Sequence, residues 1–209
     1  MPNLDRRATT AVLAVTLACL ATVSGCTTDD HHATPIPVDL GDIHEPPREL
    51  TTTVFQGITL PLAAQGPHRR NEPALTGFDH TPAGAALAAI HATVRMSVAT
   101  DSQWPQIGQQ LLAPGPGRDA WAVARAQISL TQPVTTPPKI LGYQIARYTP
   151  GEADTAIYTV QPDTSLTRNL ATVVWRNNDW RLLLPDPPGT PTVTAPLALP
   201  ADTVILPMR

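Results

Sequence analysis

The sequence predicts an α+β domain in which N-terminal helices pack on a curved antiparallel sheet. Across residues 81–128, apolar residues recur with the period of a helix. Across residues 140–184 they recur at every second position, as in half-buried strands. Asn177-Asn178 suits a two-residue hairpin turn between the last two strands, because asparagine tolerates a positive φ. Helices followed by antiparallel strands, instead of alternating with them, favour the α+β class.

A short strand and the clearest helix open the domain, which we place at residues 51–185. Residues 51–62 are β-branched and apolar, and Pro61 favours a position at a sheet edge. Thr81 is a suitable N-cap, and Pro82 fits the first helical position because its missing N–H costs nothing there. The helix presents one apolar stripe, formed by Ala83, Leu87, Ile90, Val94 and Val98.

Two shorter helices are predicted next. Asp101 or Ser102 is expected to cap the second helix, and the third is expected to span residues 118–128. Arg125 lies at the edge of the inward face of the third helix, so we expect it to carry its charge out to water. The residues predicted to face inward on these two helices are Trp104, Ile107, Leu111, Trp121, Ala124 and Ile128.

Four antiparallel strands are predicted to complete the domain. The Asn177-Asn178 turn sets the register of the last hairpin and places Trp175 opposite Trp180 on an apolar face. It also places Arg176 beside Asp179, which predicts an ion pair on the other face. The four strands are expected at residues 140–148, 155–161, 170–176 and 179–184.

Residues 1–25 have the three parts of a secretory signal peptide. Arg6 and Arg7 give a basic start, and residues 11–23 form an uncharged run of apolar and small residues. This run is shorter than the roughly 20 apolar residues that a membrane-spanning helix needs. We therefore expect the segment to be removed from the mature protein.

Val23-Ser24-Gly25-Cys26 resembles the lipobox of bacterial lipoproteins, which consists of an aliphatic residue, two small residues and a cysteine. The resemblance implies that the Cys26 thiol carries a fatty-acyl chain such as palmitate and that cleavage leaves Cys26 as the first residue. Two or more acyl chains anchor a protein stably. The mature protein is therefore expected on the outer face of the cytoplasmic membrane, lipid-anchored and extracytoplasmic. The alternative is an ordinary signal peptide that happens to contain a cysteine.

Polar, proline-containing segments flank the domain. Residues 26–50 predict a disordered linker and residues 186–209 a proline-rich tail, within which residues 203–206 could dock as an extra strand. Asp29-Asp30-His31-His32 could catch a divalent metal. A flexible, exposed tether does not fix the geometry of its ligands, so we predict no metal site there.

Cysteine usage and charge exclude several functional classes. Of the two cysteines, Cys19 leaves with the signal peptide and Cys26 would be lipidated, so the mature domain has no disulfide, thiolate chemistry or cysteine-ligated zinc. A formal net charge of −3 argues against nucleic acid as a partner. The sequence contains no G-x-S-x-G, H-E-x-x-H or phosphate-binding glycine motif. We therefore predict no catalytic residue, no cofactor and no enzyme activity.

A second resemblance covers about residues 54–185. With its tyrosine-containing strands, this region resembles an uncharacterised actinobacterial domain of cell-envelope proteins from integrative and conjugative elements. The order of its elements is also similar to the nuclear transport factor 2-like cone. The motifs that carry the resemblance are Gly77-Phe78-Asp79-His80-Thr81-Pro82-Ala83-Gly84-Ala85, Pro116-Gly117-Arg118 and Asn178-Asp179-Trp180-Arg181-Leu182.

The resemblance implies a function through protein partners. In conjugation systems of the type IV secretion class, an assembly protein on the outer face of the membrane uses such a cone, usually held by a transmembrane helix. A lipobox replaces that helix here. The resemblance therefore implies an accessory protein-interaction module, with envelope or secretion-machinery proteins as its partners. Such cones often pair through the open sheet face, which implies a homodimer.

The cone resemblance also suggests where a ligand could bind. His91 could face a cavity near Tyr143 or Tyr158, and cone enzymes of the ketosteroid isomerase type use a cavity carboxylate, or a histidine with an aspartate, as acid and base. No Asp or Glu falls at an inward position of the proposed strands, which favours a satisfied, half-buried His91. The alternative function is a cone that binds, or isomerises, a small apolar ligand.

Two further groups have both a structural and a functional interpretation. His80 beside Asp79 could act as a base, but adjacent residues rarely point at one target, which favours a loop residue that fixes the entry of the helix. Trp175 and Trp180 could stack a ligand such as a glycan. A cross-strand pair on the apolar face is more often part of the core.

Overall fold

The computed structural model of the chain describes residues 41–187, 189 and 191–208. Within them, three helices and two antiparallel sheets form an α+β domain. The predicted signal peptide, Cys26 and the Asp29–His32 run lie outside the described residues. The helices follow a two-stranded sheet and precede a six-stranded one, so they do not open the domain as predicted.

The first sheet is a hairpin of β1 (Thr51–Phe55) and β2 (Ile58–Leu62), where we predicted one strand. The turn between them is Gln56-Gly57, and both residues have a positive φ, 49° and 86°. Glutamine is not a residue that usually marks such a turn, so the sequence pattern did not reveal it.

Helix α1 (Pro82–Val98) begins as predicted. The Thr81 side chain accepts a hydrogen bond from the backbone N–H of Gly84, and Pro82 occupies the first turn. The helix is buried on almost every side along its first eleven residues, because it packs between the hairpin and the large sheet. A Cβ at position 84 would overlap the carbonyl oxygen of Asp79, so only glycine fits where the chain enters the helix.

Helices α2 (Trp104–Gln110) and α3 (Pro116–Arg125) depart from the prediction in detail. No side chain caps α2, because the Asp101 carboxylate is occupied by Arg125, Ser129 and Leu130. Helix α3 starts two residues earlier and ends three residues earlier than expected.

The inward face of α3 was also assigned wrongly. Ala124 and Ile128 are exposed, whereas Arg125 is buried with 4 % of its surface accessible. The guanidinium of Arg125 donates to the carbonyl oxygens of Ala99 and Ile128, each at 2.8 Å, and to Asp101 at 3.0 Å. These acceptors bind the two terminal nitrogens of the guanidinium inside the protein, whereas Nε has no partner among the described residues, and the side chain does not turn out to water.

The large sheet has the strand order β6-β5-β4-β3-β8, and every adjacent pair is antiparallel. The short β7 pairs with β5 at residues 168 and 169, beyond the end of β6. Two register shifts interrupt the pairing of β3 with β4, and bulges of this kind bend a strand. The strands are β3 (Lys139–Thr149), β4 (Glu152–Val160), β5 (Leu166–Trp175), β6 (Trp180–Leu183), β7 (Val193–Thr194) and β8 (Val204–Ile205).

The predicted register of the last hairpin is confirmed. Trp175 pairs with Trp180, and Asn177 and Asn178 have φ values of 54° and 56°. The predicted ion pair between the side chains of Arg176 and Asp179 is wrong. The two residues exchange backbone hydrogen bonds, while the Asp179 carboxylate is buried in contacts with the residues before α1.

Residues 41–50, which we assigned to the disordered linker, contact the domain. The backbone N–H of Arg48 donates to the side chain of Gln65 at 3.0 Å, and its carbonyl accepts from Ala64 at 2.8 Å. Pro47 is buried. The packed part of the chain therefore starts before Thr51.

The tail also packs on the domain. Residues 204 and 205 pair with β3, which confirms the docking predicted for residues 203–206. Residues 195–203, which we call the strap, connect β7 at one edge of the sheet to β8 at the other. Gln144 donates a hydrogen bond of 2.7 Å to Asp202 from the sheet face that also carries Tyr158. The strap therefore crosses the face opposite α1.

Candidate binding site

His91 is fully buried in α1 and does not line a cavity with the two tyrosines. Its Nε2 donates to the carbonyl oxygen of Pro61 at 2.7 Å, and its Nδ1 accepts from Arg95 Nε at 3.5 Å. Burial, reinforced by the positive charge of Arg95, lowers the pKa of His91 to about 3, even though the hydrogen bond to Pro61 acts in the opposite direction. The side chain is therefore a neutral group that ties α1 to β2; it is hydrogen-bonded as predicted, but it is fully buried and not half-buried.

Tyr143 and Tyr158 lie on opposite faces of the large sheet. Tyr143 is directly opposite Ile157, so Tyr158, the next residue of that strand, points to the other face. Tyr158 donates to Gln144 at 3.1 Å under the strap. Together with the contacts of His91, this arrangement shows that the three residues proposed for ligand binding do not converge on one site.

Tyr143 is buried on the face that α1 covers. Its hydroxyl has no hydrogen-bond partner among the described residues. Burial, with a smaller contribution from the charge of Glu45, raises the pKa of Tyr143 far above its usual value. The phenol stays neutral, and its ring packs in the core.

His80 and Asp79 have different partners, as the structural interpretation predicted. The Asp79 carboxylate lies 2.7 Å from His68 Nε2, while its carbonyl oxygen accepts from Trp180 Nε1 at 3.0 Å. The His80 ring stacks on Trp175 with a centroid distance of 3.9 Å, and its Nε2 contacts the carbonyl oxygen of Pro150. Both residues therefore fix the chain at the entry to α1.

The tryptophan pair is mostly structural. Trp180 is 2 % exposed and belongs to the core. Trp175 is half-buried, and His80 already covers one face of its ring. One face of the Trp175 ring is thus already stacked against a side chain of the protein itself.

One concave site among the described residues is a cleft of about 760 Å³ beside β5 and β6 of the large sheet. Its floor and walls come from β5 and β6, the second half of α1, and the start of α3. Residues 185–186 and 191–194 close the remaining side. A cleft of this size falls in the range of small-ligand pockets.

Gly117 sets the width of the cleft at one end. A Cβ at this position would lie 2.7 Å from the carbonyl oxygens of both Leu184 and Pro185. Only glycine allows α3 to approach the chain that leaves β6 so closely. This close approach joins the helix and the segment after β6 into one wall.

Met96 and Leu182 contribute apolar surface to the cleft, and Arg118 lies beside it on α3. Arg168 is directly opposite Tyr158 in the pairing of β4 with β5, so its side chain points to the other face of the sheet. None of the residues predicted from sequence as ligand contacts lines this cleft.

The chain was compared with known protein families, curated proteins and solved structures. Residues 10–198 match a family described as a domain of unknown function, DUF8175. The chain belongs to the DUF8175 family. No curated protein and no solved structure matches it significantly.

Sequence reasoning missed a buried carboxylate in this DUF8175 chain. Asp179 is 1 % exposed and accepts from the backbone N–H groups of Gly77 (2.7 Å), Phe78 (3.1 Å) and Trp180 (3.0 Å). Arg69 Nη2 donates to it at 2.9 Å. These contacts hold the loop before α1 on the last hairpin. Arg69, Gly77 and Phe78 are about a hundred residues away in sequence, and no local pattern could indicate them.

A second missed group is the buried cation Arg95. It is fully buried in α1, donates to both carboxylate oxygens of Glu72 at 2.7 and 3.2 Å, and lies 4.3 Å over the ring of Phe55. Its position between Val94 and Met96 on a predicted helix gave no sign of burial. Like His91, it acts as a structural tie.

Across residues 41–187, 189 and 191–208, no group of three or more metal-binding side chains converges. In the same ranges, no helix has the length and apolar character needed to cross a membrane.

Proposed function

We propose that this DUF8175 protein is a lipid-anchored, extracytoplasmic protein-interaction module that serves a conjugation or type IV secretion apparatus as an accessory. The observation that carries the proposal is Val23-Ser24-Gly25-Cys26 after an uncharged apolar run and a basic start. Acylation of Cys26 would hold the domain at the outer face of the membrane. Residues 27–40 would separate the anchor from the first described residues.

The arrangement of the domain supports interaction in preference to catalysis. The histidines that could act as bases are engaged in structural contacts, His91 with Pro61 and His80 with Trp175 and Pro150. The sequence resemblance to the cone of secretion assembly proteins, on which this part of the proposal rests, implies a role through protein partners. We therefore assign the domain a binding role.

The anchor is tested by replacing Cys26 with serine in the full chain. We expect Cys26→Ser to abolish incorporation of an alkynyl fatty acid and to move the protein from the membrane fraction to the soluble fraction, because the thiol is the acylated atom. The matched control is Cys19→Ser, which removes the other cysteine inside the apolar run and should change neither result. Labelling and membrane retention that survive in Cys26→Ser would contradict the lipoprotein assignment.

The partner is tested by site-specific photo-cross-linking in cells that carry the conjugative element. Three exposed apolar side chains offer positions for the cross-linker: Val54, Val123 and Leu197, which are 64 %, 63 % and 103 % exposed. We expect at least one position, but not all three equally, to capture a subunit of the secretion apparatus, because a specific interface covers only part of the surface. Capture of a second copy of the chain alone would support a homodimer and argue against the secretion partner.

A further inference from the structure

We infer that β1 is the interface of a homodimer, in which the outer edge of β1 pairs antiparallel with the same edge of a second copy of this chain. The two hairpins then form one continuous sheet, in the order β2-β1-β1-β2. This inference goes beyond the proposed function, because it assigns an interface that depends neither on the lipid anchor nor on a secretion apparatus.

The turn of the first hairpin decides which backbone groups of β1 point away from β2. A two-residue turn is closed by a hydrogen-bonded pair, which here is Phe55 with Ile58. Hydrogen-bonded and non-hydrogen-bonded pairs alternate along an antiparallel ladder. Thr52 and Val54 therefore belong to non-hydrogen-bonded pairs with β2, and their N–H and C=O groups point to the outer edge of β1.

The contacts of Pro61 support this assignment independently of the turn. Pro61 is directly opposite Thr52, and it has no N–H to donate to β1. Its carbonyl oxygen accepts from His91 of α1 at 2.7 Å, so this group points away from β1 as well. Thr52 thus has no hydrogen bond to β2, and its own N–H and C=O groups lie at the outer edge.

The outer edge of β1 has no strand partner in the described part of the chain. β1 pairs with β2, and no backbone hydrogen bond within the described residues uses the N–H or C=O groups of Thr52 or Val54. The Val54 side chain is 64 % exposed, so the edge lies at the surface. A row of unpaired N–H and C=O groups is a template for another strand.

β1 lacks the features that protect open strand edges. Residues 51–55 contain no charge and no proline, and their pairing with β2 has no register shift. The edge of β3 beyond β8, in contrast, is bent by a register shift between Ile145 and Arg147 and carries the Arg147 charge. Charges and bulges prevent a strand edge from pairing with another chain. The edge of β3 is therefore protected, whereas the edge of β1 is suited to pairing.

The partner is a second copy because the edge of β1 matches itself. Thr52 and Val54 lie on either side of Thr53, so a two-fold axis at Thr53 places Thr52 of each copy opposite Val54 of the other. Each of these pairs exchanges both N–H···O bonds, which satisfies every outward backbone group of the two residues in both copies. The facing side chains are β-branched and uncharged, and such cross-strand pairs are favourable.

The test is sedimentation velocity of the full chain with Cys19→Ser and Cys26→Ser, which excludes any contribution of the lipid or of a native thiol. We expect a monomer–dimer equilibrium with a dissociation constant between about 10 μM and 1 mM, since two short strands bury less area than a standard interface. Val54→Lys should weaken it at least about tenfold, because a lysine at a strand edge opposes pairing. The matched control is Thr59→Lys, which adds the same charge at the exposed position opposite Val54 on β2 and should leave the equilibrium unchanged.

A disulfide measurement tests the register in the same cysteine-free background. Thr53→Cys should give a covalent dimer under mild oxidation, because position 53 lies opposite itself in a non-hydrogen-bonded pair, where the Cβ atoms are about 4.5–5.5 Å apart. The controls are Thr59→Cys, one strand away, and Leu197→Cys, at a fully exposed position of the strap. Both should cross-link much more slowly than Thr53→Cys.

Several results would overturn the inference. A chain that stays monomeric at about 1 mM, or a dimer that Val54→Lys does not weaken, would each do so. Faster cross-linking at Leu197 than at Thr53 would place the interface on the strap. If the chain stays monomeric and a photo-cross-linker at Val54 captures a different protein, the edge binds an extended segment of that partner and the homodimer is wrong. None of these results depends on the fatty-acid labelling that tests the anchor, so the two proposals can fail separately.

Discussion

Burial determines which role a titratable side chain can have in this protein. His91 looks like a candidate base in the sequence, yet its ring is fully enclosed between Pro61 and Arg95. The enclosure makes the charged imidazolium costly, and this cost, together with the nearby charge of Arg95, outweighs the hydrogen bond to Pro61 and lowers the pKa of His91 to about 3. The residue is thus unsuited to proton transfer near neutral pH.

The lowered pKa of His91 predicts that stability falls in mild acid. Its ordinary value is 6.5, so below pH 6.5 the unfolded chain binds a proton at this position that the folded chain refuses until about pH 3. Stability is therefore complete above pH 6.5 and decreases as the pH falls through this window, by about 2 kcal/mol at pH 5. Urea unfolding at pH 7 and pH 5 measures the difference.

The matched variants for this measurement are His91→Gln and His44→Gln. Glutamine keeps an amide donor for Pro61 but does not titrate, so His91→Gln should lose stability at pH 7 and lose much less than the wild type on going to pH 5. His44 is exposed, and His44→Gln should follow the wild type. An unchanged pH dependence in His91→Gln would show that other groups cause the acid sensitivity.

Individual elements were predictable where local rules agreed with one another. The start of α1 follows from Thr81 and Pro82, and the last hairpin follows from Asn177-Asn178 together with the alternation of its strands. In both places, residues that are neighbours in the sequence determine the local structure, and the tertiary packing is compatible with it.

Elements were predicted wrongly where contacts with residues distant in the sequence determine the local structure. Arg125 is buried because Ala99, Asp101 and Ile128 supply acceptors, and these same contacts deprive α2 of its predicted cap. A helical periodicity cannot anticipate acceptors that belong to another segment. The same periodicity predicted that Ile128 faces inward, but Ile128 is exposed.

The candidate site was not predictable from sequence for a related reason. The cleft exists only because α3 packs on the chain that follows β6, and these two segments are far apart in the sequence. The residues proposed from the cone resemblance do not converge, because neighbouring residues in a strand, such as Ile157 and Tyr158, point to opposite faces.

At the scale of the whole molecule, both flanks of the domain complete its core. Residues 41–50 bond to the chain after β2, and the strap carries the tail across the sheet to β8. Val204 and Leu206 are 7 % and 4 % exposed and belong to the same core cluster as α1. The proline content predicted an irregular tail. Proline constrains the shape of the backbone, but it does not indicate what the few apolar side chains of the tail contact.

The role of the tail predicts unequal effects of the same substitution within it. Leu206→Ala should lower the free energy of unfolding by about 2–4 kcal/mol, because it leaves a cavity in the core. Leu197→Ala, at a fully exposed position of the strap, should change it by less than about 0.5 kcal/mol. Deletion of residues 195–209 should cost more than Leu206→Ala, since it also removes Val204 and uncovers the edge of β3, and an open strand edge promotes aggregation. Urea unfolding followed by tryptophan fluorescence measures all three, and equal stability of the truncated and full-length chains would mean that the core is complete without β8.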